Sequence, residues 1–163
     1  SIHISFDEKI YLLEPQLFLG ITFNYGLILG WTSINQNISL EPIILYFGAI
    51  FWTLGYDTIY GFQDIKDDEI IGVKSTSIKF KNNPKFFLIL CYLITILCLI
   101  FLGIIMKFNN LFYLFLLIPT YHLLFFQIKS FKIKSSSSCL KIFKSNNLFG
   151  LIVLMNLIIG KVL

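Results

Sequence analysis

Five long apolar runs dominate this sequence and constrain its fold more than any other feature. They cover approximately residues 15–31, 42–62, 86–106, 111–128 and 148–163. Each run approaches the roughly 20 residues that a helix needs to cross the hydrocarbon core of a bilayer. The runs are continuous, without the alternation of membrane strands, which are stable only in closed barrels. We therefore predict an all-α fold, a polytopic transmembrane helix bundle with these five spans.

The composition excludes an ordinary soluble domain. Hydrophobic residues make up 56% of the chain and charged residues only 13%, whereas soluble domains carry about 25% charged residues. The 163 residues leave room for several spans and for no separate soluble domain, so residues 1–163 are predicted to form a single membrane domain. The chain begins with Ser1 and shows no signal-peptide pattern, which favours a processed chain or a fragment.

The net charge of +4 comes from lysine, because the sequence contains no arginine. The lysines concentrate in two segments, between the second and third apolar runs and between the fourth and fifth. This distribution is typical of membrane topology and does not indicate nucleic-acid binding. By the positive-inside rule, both segments lie on the cytoplasmic side, or on the matrix side in a mitochondrion. We predict a multi-pass protein of the cell inner membrane, or alternatively of the mitochondrial inner membrane.

Polar and small residues at the ends of the runs give local predictions. Asn83 precedes a proline and predicts the start of the third helix. Asn146 and Asn147 are predicted to cap the helix of the last run. Gly26 and Gly30 form a pattern of small residues four apart, which predicts close packing against a neighbouring helix.

Acidic residues gather at the end of the second run. Asp57 lies inside this run, where an ionisable group is costly enough to indicate function. If the helix continues, Asp57, Asp64 and Asp68 share one face, where their charges repel unless a cation lies between them. Mg²⁺ is usually held by one or two carboxylates together with substrate phosphates. We predict that Asp64 and Asp68 bind metal, the alternative being a solvated helix end. Asp57 has the same predicted role, or instead pairs with a lysine or holds a helix contact. Asp67 and Glu69 are interpreted as solvated.

The segment 57–76 resembles the second aspartate-rich motif of the UbiA superfamily of intramembrane prenyltransferases. Its pattern, read from the preceding tyrosine, is Tyr-Asp-Thr-x-Tyr-x-x-x-Asp-x-x-Asp-Asp-x-x-x-Gly-x-Lys-Ser-Thr, which is similar to the 4-hydroxybenzoate polyprenyltransferase branch. Residues 139–150, with the pattern Cys-Leu-Lys-x-Phe-Lys-Ser-Asn-Asn-x-x-Gly, are similar to the start of the last helix in that family. The resemblance implies that this chain is the C-terminal five of nine helices.

The resemblance also implies an enzyme, a transferase that joins a polyprenyl group from a polyprenyl diphosphate to the ring of 4-hydroxybenzoate. This reaction is a step in ubiquinone biosynthesis, and Mg²⁺ is the implied cofactor. By position, Asp64 and Asp68 match the metal-binding pair of the family motif, and Asp57 belongs to the same catalytic group. The physics is consistent, because Mg²⁺ stabilises charge on a departing diphosphate and an apolar bundle keeps water from an allylic cation.

Four further residues are candidates with two interpretations each. Lys74 either donates to the departing diphosphate or is one of the lysines that the positive-inside rule places in a loop on the cytoplasmic or matrix side. Tyr60 either shields the allylic cation with its ring face or simply packs. Asn146 and Asn147 either cap a helix, as above, or line the pocket for the aromatic substrate.

One departure from the family pattern affects the predicted activity. The first aspartate-rich motif, of the type Asn-Asp-x-x-Asp, is absent from these 163 residues. We therefore expect residues 1–163 alone to be inactive and the complete protein to be an enzyme. Two alternatives stay open: a related enzyme with a naphthoate, porphyrin or chlorin acceptor, and a transporter fragment in which Asp57 couples to protons. The acidic cluster lies at one membrane face and not at the midplane, which disfavours the transporter.

Overall fold

The computed structural model describes residues 15–72, 75–133 and 135–162, apart from the side chains of Lys66, Asp67 and Ile71. Within these ranges the fold is all-α, as predicted, and contains no strand. Five helical spans are long and apolar enough to cross a membrane: span 1, Pro15–Asn35; span 2, Leu40–Gly61; span 3, Pro84–Ile105; span 4, Asn110–Ser130; and span 5, Ser136–Val162. Two short helices, Ile65–Ile71 and Thr76–Lys79, lie between spans 2 and 3.

Spans 1 and 4 are interrupted helices. Span 1 consists of Pro15–Asn24 and Gly26–Asn35, separated by a turn at Tyr25. Span 4 consists of Asn110–Phe115, Leu117–Tyr121, a π-helix at His122–Gln127, and Ile128–Ser130. Pro119 accounts for the first break in span 4, because its nitrogen has no hydrogen to donate to the carbonyl of Phe115. The π-helix follows within one turn, and such segments re-aim the side chains that they carry.

Spans 2 and 3 approach closely at two glycines of span 2. A Cβ atom at Gly48 would lie 2.8 Å from the Cβ of Cys98, and one at Gly55 would collide with the ring of Tyr92. These two positions therefore require glycine for the helices to meet, in the manner of small residues at membrane helix interfaces.

The predicted packing role of Gly26 and Gly30 is wrong for the part of the chain that the structure describes. A Cβ atom built at either residue meets no described atom within 4 Å. The face of span 1 that contacts span 2 carries Gly20 instead, where a Cβ atom would lie 3.1 Å from the carbonyl oxygen of Ile50. The four-residue spacing predicted a contact at Gly26 and Gly30. Among the described residues, span 1 makes its close contact with span 2 at Gly20 instead.

Contacts between loops fix which segments share an end of the bundle. The rings of Phe62, after span 2, and Phe131, after span 4, pack edge to face with centroids 5.2 Å apart. At the opposite end, the N–H of Asn109, between spans 3 and 4, donates to the carbonyl of Gly160 at 3.2 Å. The two lysine-rich segments therefore lie at one end and the end of span 5 at the other, as the charge pattern predicts.

Helix starts agree with the prediction at one span and differ at another. Asn83 is the N-cap residue of span 3, with proline in the first turn. Span 5 begins at Ser136, so Asn146 and Asn147 lie inside it and their predicted capping role is wrong. Its 27 residues extend about 40 Å, beyond a hydrocarbon core of about 30 Å. The first turns can therefore occupy the interface, where Lys141 is compatible with a helix.

Candidate active site

Span 2 ends at Gly61, so the acidic residues do not share one continuous helix. Asp57 lies near the end of span 2, whereas Asp64 is the N-cap residue of Ile65–Ile71 and Asp68 lies within that short helix. The condition for all three carboxylates to share one helix face, a continuous helix from Asp57 to Asp68, is therefore not met. The structure divides them into one residue on the span and two on the short helix, which we call the acidic helix.

Burial of Phe62 explains why the helix ends there. Its side chain is 3% exposed and packs against Phe131. The N–H groups of Phe62 and Gln63 donate to carbonyls three residues back, at 3.2 and 2.9 Å. This is the tighter turn that is common at helix ends. The apolar gain of burying a phenylalanine ring, about 1.5–3 kcal/mol, favours the turn over a straight continuation into water.

Asp64 and Asp68 lie one helical turn apart, since the N–H of Asp68 donates to the carbonyl of Asp64 at 2.9 Å. Asp64 is exposed and Asp68 is half-buried. The Asp64 side chain makes no capping hydrogen bond to its own helix, which leaves its carboxylate oxygens for other groups. Among the described side chains, no group of three or more His, Cys, Asp or Glu residues is arranged around a metal position.

Of the other charged residues in this region, the structure describes Glu69 but not Lys74 or the side chain of Asp67. Glu69 forms an ion pair with Lys81 at 2.7 Å, with side chains 42% and 51% exposed. Such exposed pairs contribute little to stability, which agrees with the solvated interpretation of Glu69. Lys74 and the side chain of Asp67 lie outside the described residues, and their roles stay predictions.

Asp57 is half-buried at the end of span 2. No described side chain forms a hydrogen bond or an ion pair with its carboxylate. The alternative that Asp57 pairs with a lysine therefore finds no partner in the described part of the chain. An ionisable group at this depth is costly, so the functional hypothesis for Asp57 is retained.

A row of aromatic rings between spans 2 and 5 begins at the acidic end. Ring centroids lie 4.7 Å apart for Tyr60 and Phe143, 5.6 Å for Phe143 and Tyr56, and 5.3 Å for Tyr56 and Trp52. Tyr60 is 39% exposed, so its ring packs on one side and remains accessible on the other. Both interpretations of Tyr60, packing and shielding of a cation, are compatible with this position.

The row of rings ends at a cavity of about 410 Å³ between spans 1, 2, 3 and 5. Apolar side chains form most of its wall, among them Phe23, Leu27, Leu45, Trp52, Phe149 and Leu157. Trp52 belongs both to the row and to the wall. The aromatic row therefore joins an apolar cavity within the spans to the acidic residues at the end of the bundle.

A buried polar network joins four spans beside this row. The indole N–H of Trp52 and the amide nitrogen of Gln127 both donate to Asn146 Oδ1, at 2.8 and 2.9 Å. The hydroxyl of Tyr92 donates to Gln127 Oε1 at 2.6 Å. Asn146 therefore serves as an interhelical contact, whereas Asn147 is exposed on the same helix. Sequence reasoning missed Gln127, whose only signal is an amide within an apolar run.

Residues 9–153 match the UbiA prenyltransferase family. The chain belongs to this family. It is 37% identical, over 147 residues, to a 4-hydroxybenzoate octaprenyltransferase of Francisella tularensis subsp. novicida, covering 89% of this chain and 51% of the relative. It is 35% identical, over 156 residues, to a mitochondrial 4-hydroxybenzoate polyprenyltransferase of Dictyostelium discoideum, covering 95% of this chain and 34% of the relative. The chain thus spans about half the length of the bacterial relatives it matches. No solved structure matches it.

UbiA prenyltransferases generally use a divalent metal ion. The described residues fit such an ion through the chemistry of their donor set, because Asp64 and Asp68 place two carboxylates on neighbouring turns at the open end of the bundle. A hard divalent cation takes oxygen ligands and completes its shell with phosphate oxygens and water. Two carboxylates are a donor set of the kind that such an ion takes together with substrate phosphates.

Proposed function

We propose that the complete protein transfers a polyprenyl group from a polyprenyl diphosphate to the ring of 4-hydroxybenzoate, as a step in ubiquinone biosynthesis, with Mg²⁺ as cofactor. The observation that carries this proposal is the family match over residues 9–153, together with the named activity of the relatives. The geometry is consistent with it, since the substrate needs an apolar space for its chain and a polar site for its diphosphate.

The residues at the acidic end of the bundle would have different roles in the reaction. Asp64 and Asp68 would hold Mg²⁺, and Asp57, near the end of span 2, is retained as a catalytic candidate at the same end of the bundle. When bound, Mg²⁺ supplies positive charge that stabilises the departing diphosphate. Lys74 would donate to that diphosphate as a compact positive charge. The ring face of Tyr60 would stabilise the positive charge that develops on the allylic carbon.

The apolar wall excludes water from the reacting carbon. Water would otherwise capture an allylic cation before the aromatic ring attacks it. The cavity wall beside Trp52 suits the hydrocarbon chain of the donor, and the ring of 4-hydroxybenzoate would approach from the aromatic row. Asn146 and Asn147 are retained as candidate contacts for this acceptor.

The protein is a multi-pass membrane protein, and we propose the cell inner membrane as its location, with the mitochondrial inner membrane as the alternative. Of the two relatives described above, one is from a bacterium and the other is named as mitochondrial. The lysine-rich end of the bundle would face the cytoplasm or the matrix. The diphosphate would therefore be bound from that side.

Substitution of the two metal-binding candidates tests the proposal. Asp64→Asn and Asp68→Asn, in membranes containing the complete protein, should each lower the rate of 4-hydroxybenzoate prenylation by about 100-fold, because metal affinity depends on the ligand charge. Glu69→Gln on the same helix is the matched control and should stay within about twofold. Undiminished product from either aspartate variant, or full turnover in EDTA, would contradict the assignment.

Acceptor competition separates this function from its alternatives within the family. Unlabelled naphthoate, porphyrin or chlorin should not suppress prenylation of labelled 4-hydroxybenzoate, and any of them that becomes prenylated more rapidly would replace it as the acceptor. Purified residues 1–163 alone should show no turnover. Normal rates from this polypeptide would show that the sequence already contains a complete site.

A further inference from the structure

The segment that follows the acidic helix is polar and yet deeply buried. Ser75, Thr76 and Ser77 are 3%, 1% and 0% exposed. Connecting segments usually run over the surface, because buried backbone and hydroxyl groups need hydrogen-bond partners. The burial of three consecutive hydroxyl residues therefore indicates that specific partners hold this segment against the bundle.

Thr76 donates a hydrogen bond to span 2. Its Oγ1 lies 2.6 Å from Oγ1 of Thr58, and the hydroxyl of Thr58 also lies 2.6 Å from the carbonyl of Leu54. A carbonyl can only accept, and a threonine hydroxyl has one proton. Thr58 therefore donates to Leu54, and Thr76 donates to Thr58. Thr58 directly follows Asp57 in the sequence.

Ser77 completes the attachment at the end of the same helix. Its hydroxyl donates to the carbonyl of Thr58 at 2.9 Å. This carbonyl is among the last four of span 2, which lack regular partners within a helix. A Cβ atom at Gly61 would collide with the hydroxyl of Ser77, so a larger residue there would displace this hydroxyl from its hydrogen bond with Thr58.

Span 1 contributes a third contact. The backbone N–H of Thr76 donates to Gln16 Oε1 at 3.3 Å, and Gln16 is itself 8% exposed. Thr76 is thus held through its side chain by span 2 and through its backbone by span 1. The acidic helix itself is attached at other points, since Ile65 packs against the core and Glu69 forms an exposed ion pair with Lys81 at 2.7 Å.

We infer that Thr76 is a positioning residue of the proposed prenyl-transfer site. The chain leaves span 2 at Gly61, passes through the acidic helix, and returns to span 2 at Thr76. Because both ends of this loop are attached to the same part of span 2, the hydroxyl of Thr76 limits how far Asp64 and Asp68 can move from Asp57. This inference rests on the proposed function, in which these carboxylates bind Mg²⁺ with the diphosphate.

The test uses the complete protein with Thr76→Val, which keeps the shape and removes the hydroxyl, and Thr76→Ser, which restores it. Thr76→Val should raise the Mg²⁺ concentration for half-maximal prenylation on the order of tenfold, as expected when a residue that supports metal ligands is lost. Thr76→Ser should return it to within about twofold of the original. The control is Thr120→Val in span 4, whose hydroxyl donates within its own span, to the carbonyl of Leu116 at 2.8 Å.

Hydrogen–deuterium exchange of residues 64–72, without substrate, gives a second measurement that does not depend on the reaction. Thr76→Val should speed exchange there, and Thr76→Ser and Thr120→Val should not. An unchanged Mg²⁺ requirement, or exchange equal to that of Thr120→Val, would overturn the inference. If Thr76→Val does not fold, Ser77→Ala takes its place with the same expected changes. If the unsubstituted protein does not prenylate 4-hydroxybenzoate, the proposed function fails, and exchange alone decides whether Thr76 holds the acidic helix.

Discussion

Replacement of Gln127 by leucine tests whether the polar network stabilises the bundle. Leucine keeps most of the volume but leaves the hydroxyl of Tyr92 without its acceptor, and both side chains are fully buried. A buried hydroxyl without a partner costs about 1–3 kcal/mol, whereas interhelical hydrogen bonds in membranes average about 0.6 kcal/mol. Asn146 loses the hydrogen bond from Gln127 but still accepts one from Trp52, so its carbonyl oxygen keeps one of two partners. We expect Gln127→Leu to lower the free energy of unfolding by about 1–3 kcal/mol, mainly through Tyr92.

A double-mutant cycle isolates the bond between the two residues. Tyr92→Phe alone leaves the Gln127 carbonyl oxygen unpaired, while the double variant removes both partners and should lose less than the two single variants together. The expected coupling is about 1 kcal/mol. SDS titration of the complete protein in mixed micelles, followed by circular dichroism, measures each free energy, with the exposed Asn147→Leu as control. Additive losses, or a Gln127→Leu variant as stable as the original, would refute the argument.

Two further predictions concern helix contacts and use the same titration. Gly48→Ala should cost about 1–3 kcal/mol, because its Cβ atom would lie 2.8 Å from that of Cys98, whereas Gly150→Ala, whose Cβ atom would lie at an ordinary 3.4 Å from the Trp52 ring, should cost less; equal effects would contradict the packing. Trp52→Phe keeps the ring contacts and removes the indole donor to Asn146, so it should cost about 1 kcal/mol, and an unchanged stability would show that this hydrogen bond contributes nothing.

The sequence predicted the number of spans, their helical type and which loops share an end of the bundle, because these features follow from local composition. A run of apolar residues long enough to cross a bilayer has few alternatives to a helix. The distribution of lysines predicted that the two lysine-rich loops lie at the same end of the bundle. The contact of Phe62 with Phe131 confirms this. The position of Asn83 before a proline was sufficient to predict the start of span 3.

The remaining features depend on contacts between distant residues. The break at Gly61 follows from burial of Phe62 against Phe131, which lies after span 4. Trp52 and Asn146 are 94 residues apart in sequence, and nothing in a single sequence pairs them. The same holds for Thr58 and Thr76, where the sequence shows two ordinary threonines and the fold makes them neighbours.

The placement of Gln127 and Asn146 on the last two spans has a consequence for biogenesis. Membrane proteins are synthesised from the N-terminus, so span 4 is made before its polar partner on span 5 exists. Until then the amide nitrogen of Gln127 keeps its contact with His122 Nδ1 on the same span, at 3.3 Å, but lacks Asn146, and a polar group that lacks a partner inside the membrane is costly. Arrival of span 5 therefore gives Gln127 a further hydrogen-bond partner, and this polar contact favours the packing of span 5 against span 4.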